Sequence, residues 1–459
     1  MAAKENIEKT KKEIDLTSGS ILHNLLYLSW PILLLNIIQN VLSVYDIFLV
    51  GKIGVAAVSA IAISYTLLSL FWSSIGGLST GCIAIVSRLA GEKKYEELNK
   101  FLPIIILSGL LVWFINGAVI LTFLDPILTF FGAKGETLNL AKSYLRIILI
   151  GFINPSILHT CFAIFRGIGL ATMPLYLVGT STILNMLFMP LFIFGFFGFP
   201  KLGLPGSAVA YIVASTGPTI AALIILFNGI KHAKLKISNL KINFTDWFKY
   251  IKISLPAMTQ GWIANVAWLF LLRIVSKYGD NLIAAVGIGS KIDTMLMMIG
   301  WAIGSSVSIM VGHNLGAKEV KRAEASTTTA LKIYTFFTLG WFLLCFNFGD
   351  SVIRIFNTHT SVVYWGSQYL KFDSPCYLLM GIGLITAAAL NGAGATKTTM
   401  VINFIAFFVF QTPIAFILSN YTSLGEKGIF VGIASAFAFQ GIAGWIMFKT
   451  GKWKKKKIY

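Results

Sequence analysis

The two halves of this chain repeat one another at a single fixed offset, which places Ser29 opposite Ser254. Ser29-Trp30-Pro31 aligns with Ser254-Leu255-Pro256, and Arg166-Gly167-Ile168-Gly169 aligns with Asn391-Gly392-Ala393-Gly394. The same offset holds for every aligned pair between Ser29 and Gly169, and no clear match follows them. A repeat of this length in an apolar chain is typical of a transporter assembled from two like halves.

The composition indicates a membrane protein. Of the 459 residues, 56% are hydrophobic and only 12% are charged, about half the charged share of a globular protein. A water-soluble core cannot hide this much apolar surface. We therefore predict an all-α polytopic membrane protein with twelve transmembrane helices in two six-helix lobes related by pseudo-twofold symmetry. Residues 1–20 contain no apolar run of a signal peptide, so no cleavage is expected. The predicted spans lie near 26–50, 55–86, 101–124, 141–164, 172–197, 207–229, 250–275, 282–311, 329–348, 365–389, 398–420 and 428–448.

The net charge of +19 is distributed unevenly along the chain. Basic residues concentrate in both tails and in alternate loops, which is the positive-inside pattern. Both termini are therefore predicted to be cytoplasmic, in the plasma membrane, and the charge is not expected to bind nucleic acid. We expect a monomer. The predicted domains are a cytoplasmic tail at 1–25, an N-lobe with spans one to six at 26–229, a cytoplasmic linker at 230–249, a C-lobe with spans seven to twelve at 250–448, and a basic cytoplasmic tail at 449–459.

Three carboxylates lie within the predicted spans: Asp46, Asp293 and Asp373. An ionisable side chain in lipid costs about 3 kcal/mol or more, so each is a candidate functional residue. Asp46 has the most informative context, because a polar stripe leads to it along one face of the first helix, and Pro31 can kink that helix. This pattern suits a proton or Na⁺ site, although Asp46 could instead lie at the outer interface. The stripe consists of Asn36, Gln39, Ser43 and Asp46.

Several local patterns, in their order and spacing, resemble the multidrug and toxic compound extrusion (MATE) family. The resemblance covers nearly the whole chain after residue 25. It implies cation-driven export of organic, often cationic or amphiphilic, small molecules by alternating access. The patterns are Pro31 followed by Gln39 and Asp46, Arg166–Gly169 ahead of Pro174, Ala389–Lys397, and the Gly-x-Lys segments Gly91–Lys93 and Gly316–Lys318.

The resemblance also implies a cation-coupling site in the N-lobe. Asp46 and Asn185 match the acid and the asparagine of that site, and Gln39, Ser43 and Thr182 are further candidate ligands. The chain departs from the two-carboxylate pattern, because Met189 stands where a second acid is expected. A hard cation prefers several oxygen ligands. Proton coupling is therefore at least as plausible as Na⁺ bound at Asp46 and Asn185, and neither another metal nor an organic cofactor is expected.

A cleft between the two lobes is the natural place for a substrate. Lys291 could form a buried pair with an aspartate there, or it could serve a structural or interfacial role. The predicted substrate-binding residues are Asn36, Gln39, Asn40, Asn265, Lys291, Asp293 and Asp373.

Other classes of function fit the sequence less well than an exporter does. A flippase for lipids or lipid-linked oligosaccharides is the nearest alternative, but it favours a strongly cationic cleft. An enzyme is not expected, because Asp, Glu and His do not cluster at the loop mouths. A transport ATPase is disfavoured too, because the chain has no Walker lysine motif.

Overall fold

The computed structural model describes residues 15–236, 243–456 and 458, and these residues are folded almost entirely into α-helices. Helices satisfy every backbone polar group internally, which a chain of this apolarity requires in lipid. The N-lobe contains eight helices: α1 (Ile21–Gly51), α2 (Val55–Gly91), α3 (Tyr95–Thr122), α4 (Leu124–Phe130), α5 (Gly135–Gly151), α6 (Ile153–Gly167), α7 (Thr172–Phe194) and α8 (Leu204–Asn228).

The C-lobe contains another eight helices. A π-helical segment, Ile405–Gln411, interrupts the eleventh span of the chain between α14 and α15. The helices are α9 (Phe244–Val275), α10 (Asp280–Gly316), α11 (Val320–Arg354), α12 (Thr360–Asp373), α13 (Tyr377–Gly392), α14 (Thr396–Phe404), α15 (Thr412–Tyr421) and α16 (Lys427–Lys449).

The number of spans agrees with the prediction of twelve. Among the described residues, eleven helical segments are long and apolar enough to cross a membrane. The pair α5 and α6, bent by 48° at Phe152, gives the twelfth span. Each half of the chain thus supplies six spans, and the predicted fold class is confirmed.

The backbone repeats as the sequence does. The bend in the fourth span has a counterpart in the tenth, where the short 3₁₀ turn Ser374–Cys376 separates α12 from α13. Turns with a positive φ recur at the offset of the sequence repeat as well, so the duplication preserved the points at which the helices end. These pairs are Gly54 with Gly279, Lys93 with Lys318, and Gly169 with Gly394.

The two lobes touch tightly at the ends that carry the Gly-x-Lys segments. A Cβ atom placed on Gly91 would overlap the carbonyl oxygen of His313. One placed on Gly316 would overlap the carbonyl oxygen of Arg88. The His313 imidazole also lies 2.8 Å from the carbonyl oxygen of Gly167 in the opposite lobe. Only glycine permits this approach of one backbone to another, and the lobes are closed at this end.

The chain segment before α1 covers the same junction. Leu16 is buried there, with only 5% of its surface exposed. The Arg322 guanidinium donates hydrogen bonds to the carbonyl oxygens of Gly19, at 2.9 Å, and Ser18, at 2.5 Å. Of the predicted domains, residues 1–14 of the N-terminal tail, 237–242 of the linker, and 457 and 459 of the C-terminal tail lie outside the described residues.

Candidate functional site

The N-lobe contains most of a cavity of about 630 Å³, which we call the N-lobe cavity. Helices α1, α2, α5, α6, α7 and α8 form most of its wall, and Asn265 of α9 completes it. All five predicted cation-coupling residues line it: Gln39, Ser43, Asp46, Thr182 and Asn185. Two widely separated segments of the sequence, in α1 and α7, therefore meet at one site.

Asp46 lies deep in this wall, with 7% of its surface exposed. Its Oδ2 atom accepts a hydrogen bond from the Tyr65 hydroxyl. Its Oδ1 atom is buried and has no hydrogen-bond partner among the described residues, and the same holds for Oδ1 of Asn185. A buried acceptor without a donor costs free energy unless a proton or a ligand satisfies it. A proton would satisfy the Asp46 oxygen, and a small cation in the cavity could take oxygens from both side chains. Pro31, the predicted hinge, is buried within the same helix as Asp46.

Tyrosine hydroxyls at this site are not evident from the sequence. Tyr65 lies 19 residues beyond Asp46 on a different helix, so no helical spacing connects them. Tyr144 and Tyr211 also line the cavity, together with Ser207. Ser207 and Tyr211 both come from α8, so the sixth span supplies two hydroxyls to the wall.

The polar stripe of α1 divides between two surroundings. At about 100° per residue, Gln39 and Ser43 lie within about 60° of Asp46, whereas Asn36 and Asn40 lie about 80° and 120° away. The Asn36 amide accordingly donates to the carbonyl oxygen of Met298 in α10, at 3.5 Å. The Asn40 amide lies 3.4 Å from the Met298 sulfur. Neither lines the N-lobe cavity, and both contact the C-lobe instead.

Among the predicted substrate-binding residues, Asn265 does reach the N-lobe cavity. Its amide donates to the Ser73 hydroxyl, at 2.8 Å, and to the carbonyl oxygen of Gly261, at 3.0 Å. It therefore belongs to the contact between α9 and α2 as well as to the cavity wall.

The two C-lobe carboxylates form a separate buried cluster. Asp293 accepts hydrogen bonds from the hydroxyls of Tyr369, at 2.5 Å, and Tyr377, at 2.6 Å. Asp373 is fully buried beside Asp293, and the two carboxyl groups interact electrostatically. Neither acid lines the N-lobe cavity. Lys291 is exposed and forms no ion pair with a described carboxylate. Of the two alternatives for Lys291, the buried pair with an aspartate is therefore wrong, because the side chain is exposed.

A second cavity, of about 580 Å³, lies between α2 and α6 of the N-lobe and the helices of the C-lobe. We call it the central cavity. Trp72 and His159 line both cavities and form the wall between them, with their ring centroids 4.7 Å apart. Arg166 of α6 projects into the central cavity, where its Nη1 atom lies 3.4 Å from the Ser305 hydroxyl.

Comparisons with known proteins agree with this architecture. A sequence model of the MatE family matches the chain twice, at residues 31–191 and 256–417. The matched segments lie in the two lobes, and their first residues are separated by the offset of the internal repeat. The chain belongs to the MATE family of multi-pass membrane transporters.

Several relatives are similar over nearly their whole length. The chain is 27% identical to the probable multidrug resistance protein YpnP of Bacillus subtilis, covering 98% of this chain and 99% of that protein. It is 25% identical to a probable multidrug resistance protein NorM of Oceanobacillus iheyensis, covering 90% and 93%. It is also 26% identical to an FAD transporter of Shewanella oneidensis, covering 87% and 88%.

Solved structures share the fold. A crystal structure of MATE in complex with MaL6 superposes with a TM-score of 0.88 at 21% identity, covering 97% of this chain and 100% of that one. The Vibrio cholerae MATE transporter VcmN in the bent form gives a TM-score of 0.86 at 20% identity, covering 95% and 98%. The two-lobed arrangement of twelve spans is thus shared with these transporters.

Proposed function

We propose that this protein is a secondary exporter of organic amphiphilic compounds, driven by the entry of H⁺ into the cell and working by alternating access. The observation that carries the proposal is the pair of unpartnered oxygens, Oδ1 of Asp46 and Oδ1 of Asn185, in the N-lobe cavity. An unsatisfied carboxylate within a membrane protein marks an ion pathway more often than a packing role.

The donor set of the N-lobe cavity favours the proton over Na⁺. Asp46 is the single carboxylate among the described residues that line it. Met189, at the position where a second acid is expected, lines the cavity with an apolar side chain. The other oxygens come from neutral hydroxyls and amides. Proton transfer needs one carboxylate, whereas Na⁺ must exchange its water for several fixed oxygens.

Coupling between ion and substrate has a physical route in this arrangement. The wall made by Trp72 and His159 faces the N-lobe cavity on one side and the central cavity on the other. A change in charge or volume beside Asp46 acts on that wall, and the wall bounds the space open to a substrate. Because the lobes are closed at the Gly91 and Gly316 end, alternating access requires that this end open while the opposite end closes.

The names of the relatives indicate organic small molecules as the class of substrate. YpnP and NorM carry multidrug resistance names, and the Shewanella protein is named an FAD transporter. We propose export of organic small molecules on this basis. None of these three relatives is named as a flippase, so the lipid-flippase alternative is not favoured.

Transport by the purified protein in proteoliposomes tests the proposal. The substrates are rhodamine 123, a cation, and carboxyfluorescein, an anion with the same xanthene ring. We expect movement of at least one dye under an imposed H⁺ gradient without Na⁺. We expect none under a Na⁺ gradient at equal pH. Transport that depends on Na⁺ and ignores pH would overturn the choice of ion, and no transport of either dye under any gradient would overturn the exporter.

Cysteine labelling tests the proposed orientation in the membrane. We propose that the linker and both tails face the cytoplasm, because basic residues concentrate there. A cysteine replacing Lys236, in the linker, should react with an impermeant maleimide only from the cytoplasmic side. A cysteine replacing Lys427, at the start of α16, should react only from outside. Labelling of both from one side would rule out this topology.

A further inference from the structure

We infer that the central cavity binds the anionic group of an aromatic organic anion and that Arg166 is the residue that holds it. This inference rests on the proposed function, because it names the substrate class for the same transporter. The resemblance to the MATE family implied organic, often cationic compounds; the residues of the central cavity indicate the opposite charge.

The charges of the two cavities are separated. Arg166 is the one residue with a permanent charge among the described residues that line the central cavity, and neither Asp nor Glu is among them. Asp46 lines the other cavity. An organic cation in the central cavity would therefore face a guanidinium with no described carboxylate in the wall to offset it.

The guanidinium of Arg166 is incompletely satisfied. Its Nε atom is buried and has no hydrogen-bond partner among the described residues. Its hydrogen bond to Ser305 is long, at 3.4 Å. No described carboxylate pairs with it. A cation held in a membrane protein without a counter-ion is costly, and an anionic ligand removes that cost.

The geometry of arginine matches particular anions. Its planar fork of N–H donors binds carboxylate, sulfonate or phosphate oxygens two at a time, and these charge-assisted bonds are stronger than neutral ones. Neutral polar groups nearby add further donors and acceptors. The Gln440 amide donates to Asn403 at 3.2 Å, and the Thr399 hydroxyl donates to Asn391 at 2.6 Å. All four of these side chains line the cavity.

The remainder of the wall suits an aromatic ring. Aromatic side chains enter from both lobes, and Met297 and Met380 add adaptable apolar surface to the wall. Such a surface contributes affinity through apolar contact, while the few polar groups set orientation. A ligand with one flat ring system and one acidic group would therefore satisfy both parts of the cavity. The aromatic residues are Trp72, Trp301, Phe407 and Phe437.

Equilibrium binding to the purified full-length protein tests this inference without any gradient. Fluorescence anisotropy of carboxyfluorescein and rhodamine 123 compares two ligands that share a ring and differ in charge. We expect Arg166→Gln to weaken carboxyfluorescein binding by about tenfold or more and to leave rhodamine binding unchanged or tighter. The carboxyfluorescein affinity of Arg166→Lys should lie between those of the wild type and Arg166→Gln. Arg146→Gln is the matched control, because Arg146 lies in the same broken span but is exposed.

A competition experiment keeps the inference testable if the variants do not fold. With the unaltered protein, 1-naphthalenesulfonate should displace carboxyfluorescein, and 1-naphthylmethylammonium should not. Equal displacement by both, or equal carboxyfluorescein binding to wild type and a folded Arg166→Gln, would overturn the inference.

An anionic lipid headgroup carries the same chemistry as a soluble anion. Nanodiscs of phosphatidylcholine alone and nanodiscs that also contain phosphatidylglycerol separate the two sources. We expect equal carboxyfluorescein affinity in both. Displacement by phosphatidylglycerol, lost in Arg166→Gln, would assign the site to a lipid and overturn the soluble aromatic anion.

Failure of this inference differs from failure of the exporter proposal. Gradient-driven transport of rhodamine 123 with no Arg166-dependent anion binding would remove the inference and leave the exporter standing. Arg166-dependent anion binding without transport of either dye would remove the exporter proposal and leave the anion site standing.

Discussion

Replacing Asp46 by asparagine should reduce gradient-driven export to the level of protein-free liposomes while leaving the protein folded. Asparagine has nearly the same shape and still offers an oxygen to the Tyr65 hydroxyl, but it cannot take up or release a proton. Burying a neutral amide in place of a carboxylate also avoids the cost of desolvating a charge. The measurements are initial rates of dye transport in proteoliposomes and the thermal unfolding midpoint of the variant in detergent.

Two companion variants locate the effect. Tyr65→Phe removes one hydrogen bond to a charged group, so export should fall by about tenfold and not vanish. Asp373→Asn lies in the C-lobe cluster, outside the N-lobe cavity, and should be milder than Asp46→Asn. Export at the wild-type rate from Asp46→Asn would show that coupling lies elsewhere, and the Asp293–Asp373 cluster would then be the first alternative.

Replacing Gly316 by valine should prevent the lobes from closing at the Gly-x-Lys end and should stop transport. A Cβ at this position meets the Arg88 carbonyl oxygen, the Glu92 nitrogen and the Gly91 Cα. All three are backbone atoms that cannot turn aside, so the helices must separate. We expect transport to fall by more than tenfold, because one of the two states required for alternating access is lost.

A cysteine at position 87 reports on the separation directly. Ser87 is fully buried where α2 meets Gly312 of the opposite lobe. The natural Cys82, Cys161 and Cys345 are buried, so Ser87→Cys needs only Cys376→Ser as background. A soluble maleimide should reach position 87 only when the lobes separate there, so the reaction should be slow in that background and much faster once Gly316→Val is added.

Gly287→Ala provides the control for Gly316→Val. Gly287 lies in the same helix, α10, but a Cβ there meets no atom within 4 Å. Replacing a helical glycine by alanine favours the helix by about 1 kcal/mol, so this variant should transport normally. Normal transport and an unchanged rate of maleimide reaction at position 87 in Gly316→Val would contradict a role for this contact.

The elements that depend on local pattern were predictable. Apolar runs predicted all twelve spans, and the repeat predicted the two lobes, because each helix satisfies its own backbone and needs no distant partner to be recognised. The bend at Phe152 was missed, since a helix broken by one residue keeps the same apolar composition. Gln39, Ser43 and Asp46 were correctly placed on one face by helical geometry.

Contacts between distant helices were harder to predict from the sequence. Tyr369 and Tyr377 bind Asp293 across 76 and 84 residues of sequence, and no spacing rule spans such a distance. Asn36 fits the stripe of α1 by spacing, yet the edge of that stripe faces Met298 of the C-lobe. Arg166 was evident as part of a motif, but the lack of a described counter-ion became apparent only when the surrounding helices were in place.

The π-helical segment Ile405–Gln411 distinguishes the two lobes, because the residues at the repeat offset in the N-lobe lie within α7, which is α-helical. A π turn holds one residue more than an α turn. Everything beyond it is rotated by about 100° around the axis. After a gene duplication, a single inserted codon would therefore suffice to turn different side chains inward in one copy, giving the lobes separate chemistries while the fold stayed the same.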